Sequence, residues 1–285
     1  MKKITARDVE FPTRKSSSHK GENGRLLLVG GSETYGGAVL LSALGALRTG
    51  IDVAYVGAPE RIAYLAHQYC PDIISIKLKG KNLRGTHRVQ LRSVLTKVDA
   101  LVFGNGVGMQ NNTLRLMQFL SVLQLPKVID ADALKMVTLS KIKNAILTPH
   151  HQELEILLQH SDIRSISFSK ERVLGTKQLT KLQQHLGNNV LIIKGKVDYV
   201  LSRDALFYNT TGNPGMTKAG TGDVLAGVCG GFLAQGESLL QSAINAVYIT
   251  GLAGDRLLKR KGYGYLASEL AQDIKETKRI LRIQH

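Results

Sequence analysis

The sequence contains no tryptophan and only two cysteines, and both features narrow the class of protein. Aromatic residues make up 5% of the 285 residues, which is little for a protein that stacks nucleic-acid bases. Cys70 and Cys229 lie far apart, which excludes a disulfide framework and a zinc site built from cysteines. We therefore expect both thiols to pack as small core residues in a reducing cytoplasm.

Several common motifs and segments are also missing from the sequence. No stretch approaches the roughly 18 uninterrupted apolar residues of a membrane helix. The basic N-terminus is not followed by an apolar block, so we expect no secretory signal. Neither GxGxxG nor GxxxxGK[ST] occurs, which argues against a Rossmann dinucleotide site and a P-loop.

Positive charge and glycine are abundant instead. The 38 Lys and Arg residues exceed the 22 Asp and Glu residues by 16, and there are 29 glycines. Such a charge attracts nucleotides, phosphorylated metabolites, nucleic acid or acidic membranes, although surface lysines also simply keep a protein soluble.

Short apolar runs alternate with helical segments, and this alternation predicts the fold class. Strands are predicted at 25–30, 52–57, 73–78, 100–104, 127–130, 144–148 and 190–194, with a hairpin at 198–202 and 205–209. Helices are predicted at 38–49, after Pro59 in a first helical turn, and at 86–97, 111–123, 151–160, 169–186, 223–235, 238–259 and 266–281. The pattern indicates a mostly parallel central sheet with helices on both faces. Because no linker interrupts it, we expect residues 1–285 to form a single α/β domain.

In such sheets ligands bind beyond the carboxyl ends of the strands, and the turns there carry glycines and charges. Residues 30–38 are glycine-rich and suit a backbone that approaches an anion, or simply a tight turn. The three alternate glycines of residues 104–108 suggest a backbone wall against a flat or bulky ligand, or simply a flexible loop. Asp130 and Asp132 lie at the end of a predicted strand, where they could bind Mg²⁺ or a hydroxyl-bearing substrate, or cap the next helix. We expect Asp130 to be functional and Asp132 to cap a helix.

Two further turns carry a histidine, a glutamate and a lysine. His150 and Glu153 would point to one side of the cleft, although Glu153 also suits the dipole of a helix start. Lys194 leaves a strand end, where it can meet a phosphate or lie at the surface.

The most specific segment spans residues 213–223. Gly220 and Gly222 precede a helix, so the backbone from Ala219 through Thr221 to Gly222 can form an anion hole for a phosphoryl group. Asp223 beside that hole indicates a general base for an attacking hydroxyl; the alternative is that it only stabilises the helix start.

These segments together resemble the ADP/ATP-dependent NAD(P)H-hydrate dehydratases, which belong to the ribokinase-like superfamily. The matching segments stand in family order between residue 19 and about residue 236: HKGENGRLLLVGGSETYGGA, GNGVG, IDADAL, TPHHQEL, IIKGKVD and NPGMTKAGTGDVLAG. GTGD is shared with many kinases, whereas HKGxxGR and GGSxxYxGA are narrower. The resemblance implies a ribokinase-like three-layer sandwich with a β-hairpin.

The resemblance also implies a reaction and its residues. ADP or ATP would phosphorylate the C6 hydroxyl of the S epimer of hydrated NADH or NADPH, and loss of phosphate would restore the reduced cofactor. By the family pattern the hydrated cofactor contacts Ala38, Gly106, His150 and Asp223. The nucleotide contacts Lys194, Gly195, Lys196, Val197, Asp198 and Gly222. We expect catalysis to need Mg²⁺, oriented by Glu153 through water.

Departures from the family pattern leave ADP and ATP both open as donor, because Lys135 and Lys218 stand where relatives commonly have other residues. We expect no N-terminal epimerase domain, a separate epimerase acting on the same substrate, and a homo-oligomer such as the tetramer of relatives. Two alternatives stay open: a vitamin-precursor kinase of the same fold, and a nucleic-acid binder. Against the second, no RNA-binding motif occurs and the basic residues are spread over many segments, so we expect no specific nucleic-acid partner and no membrane.

Overall fold

The apolar runs of the sequence form the strands of one sheet. The structure is a computed structural model that describes residues 1–166 and 174–283. Within these residues the strands are β1 Lys2–Lys3, β2 Arg25–Val29, β3 Val53–Pro59, β4 Ile73–Leu78, β5 Ala100–Phe103, β6 Lys127–Ile129, β7 Ala145–Leu147, β8 Val190–Ile193, β9 Asp198–Leu201 and β10 Leu206–Asn209. Their order is β1-β10-β9-β8-β7-β6-β5-β2-β3-β4. Only β9 among these strands runs antiparallel to its neighbours, which confirms the mostly parallel sheet and the predicted hairpin.

Helices cover both faces of this sheet, as predicted. They are α1 Gly36–Arg48, α2 Glu60–Tyr69, α3 Arg88–Leu95, α4 Asn111–Ser121, α5 His151–His160, α6 Thr176–Gln183, α7 Thr221–Ala234, α8 Leu239–Lys261 and α9 Ala267–Ile283. Successive residues of β2 belong to opposite cores: Leu26 and Leu28 pack with one cluster, Leu27 and Val29 with the other. Positions 26–29 of this strand are all apolar because both of its faces are buried there.

The element bounds differ from the predicted ones in identifiable ways. The predicted first helix begins two residues earlier, at Gly36, and the strand β1 was not predicted because its two exposed lysines carry no apolar signal. Pro59 ends β3 and precedes α2, so its predicted place inside the first helical turn is wrong. Of the helix predicted at 169–186, residues 169–173 lie outside the described residues.

Glycines on α1 and α7 let these two helices pack closely against each other. A Cβ added at Gly227 would lie 1.9 Å from the Ser42 carbonyl oxygen, and one at Gly45 would lie 2.7 Å from that of Val224. Cys229 on α7 and Cys70 are both buried free thiols, which confirms their predicted packing role. No helix in the described part of the chain has the length and apolar character to cross a membrane.

Candidate active site

The glycine-rich turns that follow β2 and β5 meet at one edge of the sheet. Gly104 has a φ of 114°, and a Cβ there would lie 2.0 Å from the Asp130 carbonyl oxygen. Gly106 has a φ of 64°, and its Cβ would lie 2.9 Å from the Cβ of Ala38. Only glycine fits such approaches, so the glycines allow these turns to lie in contact, with Ala38 and Gly106 side by side.

A buried amide links two of the predicted functional carboxylates. Asn105 Nδ2 donates hydrogen bonds to Asp130 Oδ2 at 2.8 Å and to Asp223 Oδ1 at 2.7 Å. Asp130 also accepts from Thr148 Oγ1 at 2.6 Å. The end of β6, the turn after β5 and the start of α7 are therefore joined through side chains.

Lys194, at the end of β8, brings a positive charge to this group. Its Nζ lies 3.1 Å from Asp130 Oδ1 and 3.8 Å from Glu153 Oε2. Burial lowers the pKa of Lys194, but the carboxylates of Asp130 and Glu153 outweigh it, so the pKa is raised above the ordinary value. The ammonium is therefore charged at neutral pH.

The Asp223 carboxyl titrates near neutrality. Burial and the negative charge of Asp130 raise the pKa of Asp223 to about 7, against the opposing effects of the Asn105 hydrogen bond and Lys194. A general base is most effective when its pKa lies near the working pH. The geometry therefore equips Asp223 to take a proton from a hydroxyl.

The helix start beside Asp223 has the backbone form expected of an anion site. Gly220 has a φ of 97° and is the residue before α7, and Thr221 Oγ1 donates to the Met216 carbonyl oxygen at 2.6 Å. A Cβ added at Gly222 would lie 3.3 Å from Lys194 Nζ, so the ammonium lies beside this turn. A positive side chain and a helix N-terminus together favour a phosphate. The anion hole at 219–222 stays a prediction.

His150 and Glu153 form the start of α5. The backbone N–H groups of Gln152 and Glu153 donate to His150 Nδ1, and His150 N donates to Glu153 Oε2 at 2.9 Å. Burial lowers the pKa of His150, although the Glu153 carboxylate opposes this. Glu153 is 5% exposed and combines this capping role with its contact to Lys194.

Asp132 does not cap a helix, so that expectation is wrong. Its Oδ2 accepts from the backbone N–H of Gly108 at 3.0 Å, and its Oδ1 pairs with Lys135 Nζ at 3.0 Å. The residue that precedes this 3-10 turn is Asp130. Lys135 therefore steadies the glycine-rich turn through Asp132.

The predicted nucleotide loop, residues 194–198, connects β8 and β9. Asp198 Oδ1 accepts from Gly195 N at 3.1 Å, and Asp198 Oδ2 accepts from Asn209 Nδ2 at 3.2 Å. Burial raises the pKa of Asp198 to about 6. Lys196 is exposed and Val197 is half-buried. The loop therefore presents the ammonium of Lys196 to solvent, two residues after Lys194.

Lys218 has a structural contact rather than a place in the carboxylate group. Its Nζ donates to the carbonyl oxygens of Tyr263 and Tyr265 and lies 4.2 Å from the centre of the Tyr265 ring. It therefore ties the loop before α7 to the turn between α8 and α9.

The side chains of the site could supply only part of the coordination of an Mg²⁺ ion. Across residues 1–166 and 174–283, no group of three or more His, Cys, Asp and Glu side chains could hold a metal ion. Proteins that act on nucleotides commonly hold Mg²⁺ through one or two carboxylates and the phosphates themselves. The buried carboxylate of Glu153 fits that pattern.

Sequence reasoning missed Asn105 and Thr148. Both lie at strand ends inside segments that were singled out for other residues. The Asn105 amide and the Thr148 hydroxyl have a role only through partners that are far away in the chain. Asp130 and Asp223 are 93 residues apart, and they lie on either side of Asn105. The signal available was their position, since Asn105 directly follows one predicted strand and Thr148 is the last residue of another.

A mostly parallel sheet between two helix layers, with a glycine-rich helix start beside a half-buried aspartate, is the ribokinase-like fold. Two solved structures share this fold. A ribokinase-like superfamily protein from Enterococcus faecalis matches with a TM-score of 0.84 and 24% identity, covering 98% of this chain and 96% of that one. An ADP/ATP-dependent NAD(P)H-hydrate dehydratase from Bacillus subtilis, co-crystallised with ATP and Mg²⁺, matches with a TM-score of 0.80 and 24% identity, covering 98% of both chains.

The particular family follows from sequence relatives. The sequence profile of the NAD(P)H-hydrate dehydratase family matches residues 26–276, and the chain belongs to this family. An ADP-dependent (S)-NAD(P)H-hydrate dehydratase from Cenarchaeum symbiosum is 34% identical over 266 residues, covering 92% of this chain and 90% of that protein. A bifunctional NAD(P)H-hydrate repair enzyme Nnr from Methanothermobacter thermautotrophicus is 34% identical over 273 residues, covering 93% of this chain and 52% of that protein. The chain thus spans about half the length of such bifunctional relatives.

Proposed function

We propose that this protein dehydrates the S epimer of hydrated NADH or NADPH at the expense of ADP or ATP, releasing AMP or ADP together with phosphate. The observation that carries the proposal is the Asp223 carboxyl, with its pKa near 7, at a glycine-rich helix start that Lys194 faces. Family membership and the ADP-dependent relative support the same reaction.

Asp223 takes the proton from the C6 hydroxyl of the substrate as its oxygen attacks the terminal phosphoryl group of the nucleotide. The N–H groups around Gly222 and the ammonium of Lys194 stabilise the negative charge on that group. The ring nitrogen then supplies the electron pair that expels phosphate from C6, and the resulting iminium ion loses a proton from C5 to the released phosphate or to water, which restores the C5–C6 double bond of the reduced nicotinamide. Hydroxide is a poor leaving group, and phosphorylation replaces it with a good one.

Glu153 would hold Mg²⁺ through water, and the ion would neutralise polyphosphate charge. Ala38, Gly106 and His150 would contact the hydrated cofactor, and residues 194–198 with Gly222 would contact the nucleotide. In the structure Ala38 and Gly106 lie together, and His150 pairs with Lys194 as a parallel bridge. These placements support the two binding roles at adjoining parts of one edge.

The deciding experiment incubates the protein with hydrated NADH, Mg²⁺ and either ADP or ATP. Recovered absorbance of reduced nicotinamide, matched mole for mole by free phosphate, supports the proposal and identifies the donor. A stable phosphorylated product without free phosphate, formed from a vitamin precursor, would instead establish a small-molecule kinase. Comparing the separated S and R epimers tests the stereochemistry, since only S should react without an epimerase.

The proposal extends to the setting of the reaction. A separate epimerase would convert the R epimer, the enzyme would act in the cytoplasm, and it would assemble as a tetramer. Cell fractionation and light scattering test the last two points. The assignment of residues 1–285 to one domain stays a prediction, which limited proteolysis tests.

A further inference from the structure

The Asp223 side chain has a single hydrogen-bond partner in the part of the chain that the structure describes, and that partner is Asn105. The bond from Asn105 Nδ2 to Asp223 Oδ1 measures 2.7 Å, and the second Nδ2 proton goes to Asp130 Oδ2 at 2.8 Å. A side-chain amide has two N–H donors on one nitrogen, so both are used here. The amide lies between two carboxylates that would otherwise repel each other.

Asn105 is itself held on a rigid support. Its side chain is 2% exposed, and its backbone carbonyl oxygen accepts from Gly31 N at 2.8 Å. Its other carboxylate partner, Asp130, is fixed by Thr148 Oγ1 and by Lys194 Nζ. Asp223 therefore receives its orientation from the sheet through one neutral side chain.

We propose that Asn105 is a positioning residue that clamps the carboxylates of Asp130 and Asp223 side by side and so fixes the direction of the Asp223 side chain within the first turn of α7. The inference rests on the proposed function in taking Asp223 as the base. The charged groups that face Asp223 are Asp130 from the end of β6, Lys194 from the end of β8 and Glu153 from α5. Asn105 is the neutral donor among them, and its hydrogen bond favours the ionised form of Asp223.

The test follows the carboxyl group directly. Protein labelled with ¹³C at aspartate carboxyls is titrated by NMR without substrate, and the Asp223 signal is the one that Asp223→Asn removes. In Asn105→Ala the midpoint should move up by about one pH unit, because a hydrogen bond to the carboxylate is lost. In Asn105→Asp, which keeps the shape but replaces the donors by a carboxyl, it should move further in the same direction.

The kinetic counterpart separates positioning from folding. The acidic limb of the pH profile of kcat/KM should move with the NMR midpoint, and kcat at pH 7 should fall by about tenfold or more in Asn105→Ala. The KM for the nucleotide should stay within about twofold, because the helix start that binds it is untouched.

Asn189 provides the matched control. It is 3% exposed, donates to the Ile142 carbonyl oxygen and accepts from Ala145 N, away from Asp223. Asn189→Ala should lower the melting temperature without moving either the NMR midpoint or the acidic limb.

An unchanged Asp223 midpoint in folded Asn105→Ala overturns the inference. If that variant does not fold, an unchanged midpoint in Asn105→Asp overturns it. If the midpoint moves in both variants while no variant nor the wild type turns over hydrated NADH, the role of Asn105 stands and the proposed reaction is wrong.

Discussion

Replacing Asp223 by asparagine should lower the activity steeply and stabilise the fold above neutral pH. Burial and Asp130 raise the pKa of this carboxyl from 3.8 to about 7. A raised folded-state pKa means that the native protein binds the proton more tightly than the unfolded chain between these two values. The stability that this carboxyl contributes is thus present below pH 3.8 and is lost as the pH rises to 7.

The structure sets the size of the effect. At 1.36 kcal/mol per pH unit, the two pKa values differ by about 4 kcal/mol, which is an upper bound on the cost of ionising Asp223 in the folded state. Asparagine has the same shape, carries no charge and can still accept from Asn105 through its carbonyl oxygen. Asp223→Asn should therefore approach wild-type stability near pH 4 and exceed it by about 2–4 kcal/mol at pH 8.

The assay is urea denaturation at a series of pH values, with midpoint and slope compared at each. Asp204→Asn, at an exposed position in the hairpin turn, removes the same charge and should show no such pH-dependent gain. In parallel, Asp223→Asn should lower kcat by roughly 10²–10⁴. Equal stability at pH 8 would refute the buried-charge reasoning, and near-normal turnover would refute the role of Asp223 as base.

Other predictions concern ligands and a second buried charge. ADP or ATP with Mg²⁺ at about 100 times Kd should stabilise the fold by roughly 2.7 kcal/mol, a rise in melting temperature of about 5 °C; no thermal response would contradict the nucleotide site. Glu153→Gln should need more Mg²⁺ for half-maximal rate, whereas an unchanged requirement would leave Glu153 with its capping role alone. Burial lowers the pKa of Lys127 from 10.5 to about 8, so the free energy of unfolding should rise between pH 8 and pH 10.5. The rise should be smaller in Lys127→Met, and an equal rise with pH in both proteins would contradict this. Binding to DNA or RNA should collapse as salt rises from about 50 to 200 mM, and persistence would favour a nucleic-acid partner.

Local residue patterns determined most of the architecture. The run RLLLV predicts β2 because both faces of that strand are buried, so nearly every position must be apolar. Helix α5 occupies the predicted residues, because its start carries a histidine and a glutamate that cap it reciprocally. The prediction failed at two places for local reasons. β1 pairs with its neighbour although its residues carry no apolar signal, and Pro59 is compatible both with the strand that it ends and with the helix that it precedes.

The sequence alone also singled out Asp223, Lys194, Glu153 and His150, because each follows a strand end or opens a helix where ligands bind in this fold class. The tertiary structure decided the pKa values of these side chains and their contacts with one another. The pKa of Asp223 depends on its burial and on Asp130, and the clamp at Asn105 depends on a fold that brings the ends of β5 and β6 and the start of α7 together. Charge interactions depend on distance and burial, and a linear pattern specifies neither between residues far apart in the chain.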